Sequence, residues 1–449
     1  MSFRTTIVIA VILLVLGGYA YFIEYKGGEK KKEQKEKQKT LLEVKKEEVA
    51  ELRLEGLDQP VKIVPASADQ WRITSPLQVR ADESTVSRIL TQLEKLQYEE
   101  IIDQQPKDLA QYGLDKPNLT IDVVMKKSNA GKTVKIGGKN PVGNLYYLQL
   151  KGDPRVYAVG SQVGDLVTTT IFDLRDKKLT DFENEKVQSL AFRTAQSDLL
   201  FQKESGVWKM KKPVASPASD NEISSLLSSL EFLKATEFID QPAADTEEYG
   251  LNEPEMTVEL QLEKGLKQRI LFGSKTGEQI YCQVEGTPGI ATVSDSFSVY
   301  KDKKLDDWRE KKVVIFNRFD AQEVRLKASG KEYVLKKDGE EKWRMDAPQK
   351  GELESEKVQD LLEKLENAEI ARYSENAELT GTPVAEVHLT LKDWQDKATK
   401  KSLMFGPLEQ DMQPLKNADY NTVVFTNGAL LKEIETKLAE FKPKPPAKK

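Results

Sequence analysis

The chain is poor in the residues from which most active sites are built. Among its 449 residues there is one cysteine and one histidine. A single cysteine, Cys282, excludes an intrachain disulfide and any cluster of thiolate ligands. It lies in Ile280-Tyr281-Cys282-Gln283-Val284, a strand-like run in which a thiol acts as a small hydrophobe. His388 lies in Val387-His388-Leu389-Thr390-Leu391, where alternation places it with Glu386 and Thr390 on the polar face of a strand. One histidine leaves a His-based metal site short of ligands, and a Ser-His-Asp triad has to use that same residue. No Gly-x-Ser-x-Gly elbow, Walker A loop or dinucleotide fingerprint is present. Ile136-Gly137-Gly138-Lys139 and Phe272-Gly273-Ser274-Lys275 bear a faint likeness to phosphate loops. Each precedes a hairpin and not a helix, so both are expected to be turns. Acidic residues are abundant but scattered. The sequence assigns no catalytic, cofactor-binding or metal-ligating residue and calls for no cofactor.

An excess of one charge is also missing. There are 68 Lys and Arg against 73 Asp and Glu, for a net charge of -5, and the two signs are interspersed. That excludes the basic footprint of a nucleic-acid binder. Long apolar runs are scarce as well. The only one, Ile7 to Ile23, spans roughly 26 Å as a helix, near the lower limit for crossing a bilayer. Tyr19, Tyr21, Phe22 and Tyr25 stand at its end, where an aromatic belt meets headgroups. Gly18-Tyr19-Ala20 leaves a cleaved signal peptide as the alternative, although the apolar run continues past that site. There is no lipobox cysteine. Residues 28–48 are rich in Lys, Glu and Gln and lack Pro, which suggests a solvated, partly helical stalk.

What the chain does have is a repeat. Trp71 to Pro117 recurs at Trp208 to Pro254, each landmark displaced by 137 residues. Both copies open with Trp-x-x-x-x-Pro (Pro76, Pro213), continue through Ile-Asp (Ile102-Asp103, Ile239-Asp240) and end in Tyr-Gly-Leu-x-x-Pro. The last motif comprises Tyr112, Gly113 and Pro117 in one copy and Tyr249, Gly250 and Pro254 in the other. A third copy starts at Trp343 and is degraded, with Leu379-Thr380-Gly381-Thr382-Pro383 in place of the Tyr-Gly-Leu motif. Length alone gives about three domains at roughly 150 residues each.

The repeated residues have ready structural roles. Trp71, Trp208 and Trp343 are expected to plug the core of a strand meander. Val86, Ile89, Leu90, Leu93 and Leu96 form an amphipathic stripe, repeated at Ile223, Leu226, Leu227, Leu230, Leu233 and at Val358, Leu361, Leu362, Leu365, Ala368. Asp82 and a Ser219/Glu222 capping box are set to start the first two helices. Ser205-Gly206, Ser329-Gly330 and Asp338-Gly339 signal hairpins. Gly113 and Gly250 suit positive φ, and Pro117 and Pro254 stop a helix before a strand. Tyr146–Leu150 and Val156–Val159 form a further hairpin. Arg175 and Arg309 mark basic junctions that run into the next copy.

The fold class expected is therefore α+β: three tandem repeats of an antiparallel-strand meander with one packed amphipathic helix and a further hairpin, after an N-terminal transmembrane helix. The segments are an anchor (1–26), a charged stalk (27–48), repeats at 49–179, 180–313 and 314–441, and a disordered tail (442–449).

The anchor, the stalk, the Trp-x-x-x-x-Pro helix lead-in, Tyr-Gly-Leu-x-x-Pro, the Gly152-Asp153-Pro154-Arg155-Val156-Tyr157 hairpin and the Arg-Asp-Lys junction together resemble the bacterial domain of unknown function 4340. Members of that family are commonly encoded beside an ABC transporter whose partner resembles the gliding-motility protein GldG. The resemblance implies a non-catalytic, envelope-facing accessory or scaffold protein. It would be held in the cytoplasmic membrane through Ile7 to Ile23, with its repeats on the periplasmic or outer side and a transporter permease or GldG-like subunit as partner. A periplasmic module that binds a lipid, glycan or peptide cargo is the alternative, and a carboxylate-based glycan hydrolase a weaker third.

Overall fold

In the computed structural model the described residues are 21, 39–42, 44–67, 70–127, 131–141, 143–239, 246–339, 342–374, 378–393, 395, 397–420 and 422–444. The apolar run Ile7 to Ile23, apart from Tyr21, lies outside them, as does most of the expected stalk. Among the described residues no helix is long and apolar enough to cross a membrane. The chain falls into two compact parts, residues up to 177 and residues from 178 onward. The first part holds one repeat and the second holds two.

The first repeat is built from β1 (Val49–Glu55), β2 (Val61–Pro65), β3 (Trp71–Ser75), β4 (Val79–Arg80), α1 (Glu83–Glu94), β5 (Tyr98–Asp103), β6 (Leu119–Met125), β7 (Gly131–Lys139), β8 (Tyr146–Leu150) and β9 (Val156–Val159). These strands form one antiparallel sheet in the order β4-β3-β2-β1-β6-β7-β8-β9-β5. Two four-stranded meanders thus meet at β1 and β6, and β5 crosses over to the far edge. Two further nine-stranded sheets, beginning at Val187–Thr194 and Ala321–Ala328, repeat that order strand for strand.

Alternation decides which side of each strand goes inward. In β6, Leu119, Ile121, Val123 and Met125 are buried while the residues between them are half-exposed. The helical stripes lie on this face: Val86, Ile89, Leu90 and Leu93 of α1, Ile223, Leu226, Leu227 and Leu230 of α2 (Asp220–Glu231), and Val358, Leu361, Leu362 and Leu365 of α3 (Ser355–Glu366) are buried. Leu96, Leu233 and Ala368 are buried too, but each follows the C-cap and so lies outside the helix. Asp82 caps α1 by accepting from the Thr85 N–H at 2.7 Å. Ser219 caps α2 through the Glu222 N–H. The expected capping box is only half formed, because the Glu222 carboxylate pairs with Lys303 at 2.7 Å.

The hairpin signals are realised: Ser205, Gly206, Ser329, Gly330 and Gly339 all have positive φ. Other expectations are corrected. Pro76, Pro213 and Pro348 follow cis peptide bonds between two strands and are not helix lead-ins. Gly137 and Gly273, expected in turns, lie within strands at a register shift. Leu42 and Val44, from the segment expected as stalk, join the first core. Lys444, expected in a disordered tail, pairs with Glu352 through two 2.9 Å backbone bonds. The third repeat also ends in an 11-residue helix, α4 (Ala429–Ala439), which the sequence reading did not contain. It is tied to α3 by Lys364–Glu433 and Lys437–Asp360 at 3.0 and 3.2 Å.

Trp71, Trp208 and Trp343 are 4%, 4% and 1% exposed, which makes them core residues and not a stacking surface. Each Trp→Ala change is expected to cost its own repeat about 3–5 kcal/mol. Denaturant titration checks this; unchanged midpoints for Trp71→Ala and Trp208→Ala would assign these rings to recognition.

Candidate functional site

The motifs singled out in the sequence fall in three places, the first two of them repeated. The first is the Tyr-Gly-Leu turn. A short 3-10 turn at Ala110–Tyr112 ends in Gly113 at φ +64°, and Thr246–Tyr249 ends in Gly250 at φ +66°. Pro117 and Pro254 follow in irregular backbone, two residues before the next strand begins. The turn presses against the strand glycines. A Cβ on Gly137 would stand 2.3 Å from the Tyr112 carbonyl oxygen, and one on Gly273 would stand 2.1 Å from that of Tyr249. The tyrosine rings cover the sheet edge-on, Tyr112 against Tyr147 at 5.1 Å and Tyr249 against Tyr281 at 4.9 Å. The Tyr112 hydroxyl donates to Asp103 at 3.1 Å, which gives Asp103 of the first Ile-Asp motif its role; Asp240 of the second lies outside the described residues. Burial, then that carboxylate, raises the Tyr112 pKa.

In the third repeat Gly381 keeps a positive φ of +82°, and its missing Cβ faces Pro407 at 3.6 Å, as those of Gly113 and Gly250 face Gly138 and Ser274. The turn survives although its tyrosine is lost. The sequence offered a signal for this contact, since Gly137 and Gly273 are themselves displaced by about one repeat.

The second place is the junction. Arg175 and Arg309 are 5% and 4% exposed, and each pairs in the backbone with its own repeat, at Ala81 and Ala218. Arg309 donates to Ser216 at 3.3 Å and Asp306 at 3.2 Å, and its guanidinium lies 3.4 Å from the centre of the Tyr373 ring. The third repeat grips the backbone that leads into it. Tyr373 donates to the Glu310 carbonyl at 2.6 Å, Asn417 to that of Val313 at 2.7 Å, and Tyr420 to that of Lys312. Burial pushes the Tyr373 and Tyr420 phenols far up, so both stay neutral donors.

The third place is the Gly152–Tyr157 hairpin. Asp153 accepts from Arg155 at 2.6 Å and from the Tyr157 hydroxyl at 2.7 Å. The Arg155 guanidinium holds the Asp153 carboxyl well below the usual range, while burial and Asp153 raise Tyr157 to about 12. This is a self-satisfied cluster, with donors and acceptors directed at one another.

His388 stands on the polar strand face as expected, 3.1 Å from the Ser402 hydroxyl through Nδ1 and 3.5 Å from Glu386 through Nε2. Cys282 is buried opposite Phe272, and burial raises its thiol pKa. Among the described residues no group of His, Cys, Asp and Glu is arranged to hold a metal ion.

A three-repeat α+β protein whose recurrent residues serve turns, cores and junctions is the class this geometry defines. Residues 71–206 and 208–392 match the family described as "Domain of unknown function (DUF4340)", and the chain belongs to it. No curated protein and no solved structure matches the chain.

Gly273→Ala forces its methyl into the Tyr249 carbonyl and is expected to destabilise the second repeat by about 1–3 kcal/mol. Gly131→Ala, at a strand glycine of the first repeat without positive φ and with no atom within 4 Å of its Cβ position, controls for the loss of glycine itself. Equal midpoints for Gly273→Ala and wild type in thermal unfolding would contradict the close approach.

Proposed function

We propose that the chain is a non-catalytic scaffold of the bacterial envelope, anchored through Ile7 to Ile23, that works with a GldG-like ABC transporter. One observation carries this reading. The recurrent residues are consumed by packing: Trp71, Trp208 and Trp343 in the cores, Gly113 and Gly250 in the turns, Arg175 and Arg309 in the junctions. A chain that spends its repeated residues on architecture is suited to presenting surface. The grip of Tyr373, Asn417 and Tyr420 on the Glu310–Val313 backbone supports it, because it couples the second and third repeats. The cargo-binding alternative calls for an enclosed apolar pocket. The grooves lined by Leu42, Val44 and Met125, by Glu237, Thr276 and Glu278, and by Asp360, Glu363 and Lys437 are open rather than enclosed.

Affinity purification of the full chain from detergent-solubilised membranes tests the proposal. A transporter permease or GldG-like subunit is expected to co-purify in stoichiometric amount, and a cytoplasm-only reporter fused after Lys449 is expected to be silent. Purification of the chain alone, or a bright reporter, contradicts it.

A further inference from the structure

In every repeat the chain seals one edge of the sheet after leaving its second meander, and the third repeat does so by other means than the first two. In the first two the seal is the junction. Asp176 donates its amide to the Arg80 carbonyl at 3.0 Å, and Glu310 donates to that of Pro217 at 3.2 Å. In the third, Lys444 donates to the Glu352 carbonyl at 2.9 Å. The three acceptors are equivalent, because Arg80, Pro217 and Glu352 lie opposite Arg72, Lys209 and Arg344, each the residue after a repeated tryptophan. Chain distance agrees. The donors follow sixteen or seventeen residues after Val159, Ser294 and Asn427, where the second meanders end. Lys444 therefore stands where Asp176 and Glu310 stand, and Pro443 stands where Arg175 and Arg309 do. The equivalence is one of backbone register, since Lys442-Pro443-Lys444 shares no side-chain pattern with the junctions.

Gly351 marks this strap as part of the fold. Its counterparts, opposite Ile73 and Met210, are Val79 and Ser216. It lies in a strand without positive φ, so no turn calls for glycine. A Cβ there would stand 2.5 Å from the Lys444 carbonyl oxygen and 2.7 Å from the Pro443 Cβ. The strand lacks a side chain at the point where the strap crosses it. The hold on the strap also differs. The junctions are fixed by the buried Arg175 and Arg309, and Asp176 pairs with Arg80 at 3.1 Å. The strap is held through two backbone bonds to Glu352, and both of its lysines are exposed.

We propose that residues 442–444 form a latch on the edge of the third sheet, a third junction in backbone register that Gly351 admits and no buried arginine secures. Shut, it takes up the N–H and C=O that Glu352 turns away from Arg344, and it pins the end of α4, whose Ile434 and Leu438 lie with Phe441 in the third core. Open, it bares that backbone pair and leaves α4 tied by its core contacts and its ion pairs to α3. A closure made of backbone bonds alone opens ahead of the others. The latch goes beyond the scaffold reading and does not rest on it.

Hydrogen exchange on the full chain, arranged as a double-mutant cycle, tests it. Gly351→Val places a side chain where the strap crosses, and a chain stopped after Phe441 removes the strap. Each change alone is expected to speed exchange about tenfold at Glu352, the loss appropriate to two backbone bonds, and several-fold across α4, with the first repeat unchanged. Combined, the two are expected to match the shortened chain alone, because Gly351→Val then has no strap to expel. In the unaltered chain the Lys444 amide is expected to exchange about tenfold faster than those of Asp176 and Glu310. If the shortened chain does not fold, Lys444→Pro, which removes the donated amide, takes its place in the cycle. A Gly351→Val effect of equal size with and without the strap, α4 exchange indifferent to its loss, or a Lys444 amide as protected as Asp176 and Glu310 overturns the proposal.

Discussion

Everything else in each repeat depends on one antiparallel pairing, that of β1 with β6 and its counterparts. Within a meander the strands are joined by short turns, and their pairing is local. Leu52 with Val123, Leu190 with Leu260 and Val324 with Leu389 join residues about seventy positions apart. The entropy of closing such a loop has to be met before the contact exists. What meets it is burial on both sides of the seam, because these six residues are at most 2% exposed. Once the seam is made, the two meanders present one continuous face for the helix to cover. The strand after the helix then pairs at the far edge.

The seam also explains where the glycines fall. The chain returns from the far edge to the centre of the sheet through the Tyr-Gly-Leu turn, which crosses the outer face of the second meander. The turn lies so close that the strand beneath it has no room for a side chain at Gly137 or Gly273. The third repeat resolves the same crossing with Pro407 beneath Gly381 and no tyrosine. The constraint is thus the backbone approach, and the ring is an addition to it.

Much of this was legible in the sequence because it is local. The helical stripes, the hairpin glycines, the alternation around His388 and the plugging tryptophans each declare themselves within a dozen residues. The seam does not, since β1 and β6 carry the same alternation as any half-buried strand and nothing local names their partner. Gly137 and Gly273 read as turns because glycine's common use is conformational, whereas here it is steric. Leu42 and Val44 were hidden by the lysines and glutamates around them. The C-terminal strap at Lys444 looked like tail because its two backbone bonds need no particular side chain.

The central claim is that each repeat is one cooperative body held at its seam, and hydrogen exchange on a seam variant tests it most directly. Leu190→Ala empties a buried position opposite Leu260. The account predicts that amide protection falls together in both meanders of the second repeat, in Asp198–Glu204 as much as in Gln279–Val284, while the first repeat keeps its own. Loss of protection confined to the strands next to Leu190, with Gln279–Val284 unchanged, would contradict it.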